Sequence, residues 1–108
     1  MVNEMLILGA EYELIRNDES LKEIDADGEC RGYSKVIRIR PLKDMLFGDA
    51  SDEERKDRYN EVLRHEVIHA FFHECGLDDY CNNEELVDWL AMQFPKMLKV
   101  FQELGCDG

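Results

Sequence analysis

Hydrophobic and polar positions change rhythm once along this chain, near residue 50. Before that point, short runs of strand-forming residues alternate with polar breaks. Met5-Leu6-Ile7-Leu8 and Tyr12-Glu13-Leu14-Ile15 read as two strands, the second with partial alternation. A polar stretch from Asn17 to Glu29, holding Asp25, Asp27 and Gly28, interrupts the pattern, with Leu21 to Ile24 as one helical turn. Tyr33 to Arg40 then alternates as a half-buried strand does, and Pro41 ends it because proline donates no ladder hydrogen bond. These segments predict a small antiparallel sheet.

After residue 50 the period is helical. Ser51-Asp52-Glu53-Glu54 spells a capping box, in which the Ser hydroxyl accepts from a first-turn amide while Glu54 reaches back. The pattern runs unbroken to Cys75, about 36 Å of helix at 1.5 Å per residue. Gly76-Leu77 is a stop signal, with Gly in the left-handed conformation and Leu folding back on the last turn. A second helix is expected to begin near Asn82-Asn83-Glu84-Glu85, where Asn caps and the carboxylates suit the helix dipole. Pro95 predicts a kink or a restart, and Lys96 to Leu104 a last helical stretch ended by Gly105. Trp89, Phe94 and Phe101 form a stripe assigned to the core. With 108 residues, 44% of them hydrophobic, residues 1–108 read as one domain of the α+β class.

Charge narrows the partners. The chain carries 25 acidic and 13 basic side chains, a formal net charge of −12. Phosphate contacts need clustered Lys and Arg, so a nucleic-acid partner, and with it a metal-dependent nuclease, is not expected. An anionic membrane surface is excluded on the same ground. Only six uncharged residues, Met5 to Ala10, follow Glu4, too few for a signal peptide or a spanning helix, so a soluble cytoplasmic protein is expected. Cys30, Cys75, Cys81 and Cys106 include no CxxC pair and read as free thiols.

The long helix carries His65-Glu66-Val67-Ile68-His69, an HExxH sequence. Residues four apart share a helix face, so both imidazoles can bind one zinc ion (Zn2+), and Glu66 lies where its carboxylate can deprotonate a metal-bound water. A shuffled chain of this composition would carry the pattern about once in 140. The rest of the helix circumference is apolar, which predicts burial and leaves the ionisable stripe in need of an internal partner. A catalytic zinc needs a third protein ligand and an open position. Cys75 points away from His69 by about 120° at helical spacing. Glu84 is the better choice, because Asp88 follows on the same face and can accept the spare N–H of a ligand His. Glu85 is the alternative ligand, unless an Asn82-to-Glu85 capping box engages it.

His65-Glu66-x-x-His69 with Glu84-x-x-x-Asp88 on a following helix resembles the gluzincin metallopeptidases. Glu84-x-x-Val87-x-x-Leu90-Ala91 followed by Pro95 is similar to the small ImmA/IrrE-type metallopeptidases of bacteria and mobile elements, including minimal phage-encoded members. The likeness covers residues 51–97 and departs at Val87-Asp88, where Ala-Asn is common. It implies a zincin-like domain, with a small antiparallel sheet packed on the HExxH helix and a second Glu-bearing helix. It also implies zinc held by the two histidines and a downstream Glu, with the motif Glu as catalytic base.

The expected activity is therefore hydrolysis of a peptide bond by a zinc-activated water, with Glu66 as general base and His65, His69 and Glu84 as ligands. Lys35 to Arg40, placed at a sheet edge over the cleft, would bind an extended peptide by strand addition, with Lys35 and Ile37 as substrate contacts. Lys35, Arg38 and Arg40 would favour acidic segments. His73, one turn past His69, is expected at the pocket rim or against substrate. Tyr33 and Tyr80 are read as ordinary packing residues rather than oxyanion donors. The alternative function is a non-catalytic, zinc-containing protein-interaction module, whose metal site would be closed by four protein ligands.

Overall fold

The computed structural model describes residues 2–108, apart from the side chain of Val2. Strands β1 (Val2–Ile7) and β2 (Ala10–Ile15) form a hairpin whose two turn residues, Leu8 and Gly9, both have positive φ (50° and 86°). That is the two-residue turn whose twist matches paired strands. A 3-10 turn over Glu19–Ile24, capped by Asp18, buries Leu21 and carries the chain to β3 (Gly28–Arg31) and β4 (Val36–Ile39). Three helices follow: α1 (Asp52–Glu74), the short α2 (Asp78–Cys81) and α3 (Glu84–Leu104). The protein is α+β, a four-stranded sheet packed against helices.

The sheet is mixed rather than antiparallel. Its order is β1-β2-β4-β3, with β4 parallel to β2 and antiparallel to β3. The chain leaves β2, passes one strand position to lay down β3, and returns by a tight turn into the gap. β3 is an edge strand of Gly, Glu, Cys and Arg, without the β-branched alternation that marks a half-buried strand. The polar stretch thus conceals a strand, and the missing strand reverses the expected direction of β4 relative to β2. The last strand is also shorter than Tyr33 to Arg40: residues 32–35 form the β3–β4 turn, with Lys35 at φ 59°.

The core lies between the sheet and one face of α1. Ile7, Tyr12, Leu14, Ile37 and Ile39 meet Met45, Tyr59, Val62 and Ala70. Arg55 pins the preceding loop to the start of α1, its guanidinium donating to the carbonyls of Lys43, Met45, Gly48 and Ala50 at 2.8 to 3.3 Å. The Ser51 capping box forms, with Glu54 N 3.1 Å from Ser51 Oγ and Ser51 N 2.9 Å from Glu54 Oε1. Gly76 ends α1 in the left-handed conformation, with Leu77 N reaching Phe72 O at 3.0 Å and Gly76 N reaching His73 O at 3.2 Å.

α3 continues through Pro95 instead of restarting. Proline removes the N–H that would have met the Ala91 carbonyl four residues earlier. Arg64 Nε of α1 donates to that carbonyl instead, at 2.7 Å. The freed acceptor thus becomes a link between the two helices. α1 is also less enclosed than its apolar circumference predicts: only Tyr59, Val62, Glu66 and Ala70 are buried, and Phe71 is 44% exposed. The Trp89, Phe94, Phe101 stripe is not core either, at 51%, 46% and 39% exposure. No helix among the described residues is long and apolar enough to cross a membrane.

Candidate metal centre

α1 brings His65 and His69 one turn apart on the face that meets α3. Their Nε2 atoms lie 3.1 Å from each other. Glu84, the first residue of α3, faces both: Oε2 is 3.2 Å from His65 Nε2 and Oε1 is 3.1 Å from His69 Nε2. A tetrahedral ion 2.0–2.1 Å from each donor would hold the donors about 3.3 Å apart. The three residues therefore stand close to the spacing that zinc requires, and two imidazoles with one carboxylate are a donor set that suits it. Glu85 is exposed and outside this cluster. The helix cap is Asn83, whose side chain accepts from Leu86 N at 3.0 Å, so the Asn82-to-Glu85 capping box does not form.

The far side of each imidazole is held differently. His65 Nδ1 lies 2.8 Å from Asp88 Oδ1, a carboxylate that can accept the spare N–H when Nε2 serves as a ligand. Asp88 sits one turn after Glu84 and so reaches the same histidine. His69 Nδ1 lies 3.7 Å from Cys81 Sγ, and the Cys81 thiol donates to the His69 carbonyl at 3.3 Å. Burial lowers the pKa of His69, favouring the neutral imidazole that a metal needs.

Glu66, next to His65 on the cleft side of α1, points towards β3. It is only 7% exposed. A Cβ on Gly28 would lie 2.9 Å from its carboxylate and 2.8 Å from Val62, so only glycine lets the edge strand settle this closely onto the helix. Burial, with Glu84, Glu29 and Asp88 adding repulsion, pushes the Glu66 pKa up to about 8. A cation at the histidine cluster would oppose that rise. A buried carboxyl with an elevated pKa is suited to carrying a proton in both directions.

Two cavities flank the cluster and share Gly28, His65 and Glu66. One, about 410 Å³, is lined by Cys30, Gly32, His69, His73 and Glu84 among others. The other, about 600 Å³, runs beneath Asp27, Arg40, Arg58 and Glu61 towards Asp88. His73 thus borders the cleft, its ring 5.0 Å from that of Tyr33 in an edge-on contact and directly beneath Gly32. Tyr33 itself is 95% exposed rather than packed, and Tyr80 lies against Phe72.

The expected substrate strand needs correction. β4 is an interior strand, hydrogen-bonded to β2 on one side and β3 on the other, so it has no free edge for a peptide. Ile37 is fully buried in the core and Lys35 lies in the turn, bound to Glu74 at 2.8 Å and to the Gly32 carbonyl at 3.2 Å. Arg38 pairs with Asp18 at 2.8 Å and Arg40 with Asp25 at 3.3 Å. The three cations are thus engaged within the fold, and the reason for an acidic preference falls away. The strand that borders the cleft is β3.

Comparison with family models, with curated proteins and with solved structures returns no match for this chain. The centre is therefore read from its own geometry. Sequence reasoning missed Cys30, Cys81, Gly28 and Gly32, all of which line it. For the glycines a signal existed: two of them, four residues apart, flank a strand, as close backbone approach requires. For Cys81 there was none, because α2 alone sets its distance from His69.

Proposed function

We propose that this protein is a zinc-dependent peptidase of zincin-like architecture, resembling the small gluzincin and ImmA/IrrE-type enzymes, and that it acts in the cytoplasm. The observation that carries the reading is the convergence of His65 Nε2, His69 Nε2 and Glu84 at mutual distances of 3.1 to 3.2 Å, beside the buried carboxyl of Glu66. A zinc ion held there would polarise a scissile carbonyl and make water acidic enough to attack it near neutral pH. Glu66 takes the proton from the attacking water and returns it to the leaving amine. Asp88 and Cys81 orient the two imidazoles. The free edge of β3 receives an extended peptide by strand addition, with main-chain hydrogen bonds holding it across both cavities.

A closed structural zinc site would need a fourth protein ligand. Among the described residues the ligand cluster contains only His65, His69 and Glu84, while Asp88 and Cys81 are turned to the outer nitrogens. This favours an enzyme over an interaction module. Glu66→Gln tests it. The variant keeps the shape of the side chain but cannot accept a proton at useful pH, so it retains one zinc per chain and loses cleavage. Retained cleavage sinks the mechanism, and a wild type that cuts no member of a broad peptide library favours the module.

A further inference from the structure

Opposite the cleft, α1 and α3 enclose a second, very different hollow. It measures about 680 Å³ and its walls include Leu63, Val67, Ile68, Phe71, Leu90 and Phe94. Val87, Leu90, Phe94, Met97, Phe101 and Leu104 follow one another along α3 at alternating spacings of three and four, the seam of a coiled coil. The first half of that seam packs beside the apolar part of α1. The second half does not, because α1 runs back there into Asp52-Glu53-Glu54 and the exposed Lys56-Asp57. Phe101 is consequently 39% and Leu104 73% exposed, with Phe94 between the two halves at 46%.

We propose that a second copy of this chain covers this face, the two α3 helices lying antiparallel across a two-fold axis near Phe94. The face is self-complementary in the way such symmetry demands. Hollow and projecting seam lie on either side of Phe94, so each copy lays Met97, Phe101 and Leu104 into the other's hollow. Phe71, Phe94, Phe101 and Leu104, 44%, 46%, 39% and 73% exposed, give each copy a continuous apolar face to contribute, where a stable interface takes about 800 Å² from each partner. Charge permits it despite the overall −12: residues 89–102 contain no carboxylate and only Lys96 and Lys99 as charges, both off the seam, so the acidic surplus lies away from the paired helices.

Sedimentation equilibrium on the full chain tests this. The wild type associates to a dimer at low micromolar concentration, and added salt strengthens the dimer by screening the two acidic bodies. Phe101→Asp and Leu104→Asp, both at exposed positions, each give a monomer with an unchanged circular dichroism spectrum. Lys99→Glu, off the seam, remains dimeric. A wild type that is monomeric at about 100 µM overturns the proposal, even if it captures a foreign amphipathic helix. So does a dimer that survives both aspartate substitutions or weakens with salt.

Discussion

The two faces of α1 differ in how they are finished. On the cleft side, His65 meets Asp88, His69 meets Cys81, and Glu66 is closed over by Gly28. On the outer side, Val67, Ile68 and Phe71 border an apolar hollow. A polar group withdrawn from water is costly unless each donor and acceptor finds a counterpart, so the cleft depends on single atoms in fixed places. An apolar face tolerates many arrangements, because burial is roughly proportional to area and has no direction. Substitutions in the cleft should therefore act all or none, and those on the outer face should act by degree.

The sharpest break of that contrast is loss of metal. His65→Ala or His69→Ala should abolish zinc in the protein purified without chelator, read by elemental analysis, whereas Phe71→Ala should leave it intact. Glu84→Gln should weaken zinc binding far more than Glu85→Gln. Equal losses would remove Glu84 from the site. Next in size is the loss of the general base: Glu66→Gln should lower cleavage by about 10²–10⁴-fold while the zinc content stays at that of the wild type.

Gly28→Ala asks whether the cleft depends on close approach. The new methyl would meet Val62 and the Glu66 carboxylate below 3.0 Å, and forcing extra volume into a packed site costs about 1–3 kcal/mol. Denaturant midpoints should fall accordingly, and activity with them. Arg64→Ala should cost about 1–3 kcal/mol by orphaning the Ala91 carbonyl. In a Pro95→Ala background, where the helix N–H returns, the loss should shrink. An equal loss in both backgrounds would mean that Arg64 acts through packing alone.

The smallest expected effect is a pH dependence at the far end of α1. Hydrogen bonds from Lys35 and Tyr12 hold the Glu74 carboxyl below its ordinary pKa. A depressed carboxyl stabilises the fold fully above the unfolded value, about 4.3, and this is lost as pH falls through the folded value. Tyr12→Phe should therefore flatten the acid limb of the stability curve while leaving zinc binding unchanged. At the other end of the scale, burial raises the Cys30 thiol to about 12, so it should react with alkylating reagents at pH 8 far more slowly than the exposed Cys75 and Cys106.

Local chemistry was legible in the sequence wherever its cause is local. The Ser51 capping box, the Gly76 stop and the i, i+4 placement of the histidines depend on neighbours a turn away, and each is written in consecutive residues. The pairing of Glu84 with Asp88 is of the same kind, since one helical turn sets it. What only the tertiary structure decided are the contacts between segments far apart in the chain. β3 has no apolar pattern of its own and exists because β4 and α1 accept it, which made the sheet mixed and moved the open edge over the cleft. Pro95 does not break α3 because Arg64, 31 positions earlier, satisfies the carbonyl it frees. Lys35, Arg38 and Arg40 look like free cations in sequence, but in the fold each meets a carboxylate. A side chain's type is set by the sequence, but its partner is set by the packing, because burial makes an unpaired charge too costly to leave alone.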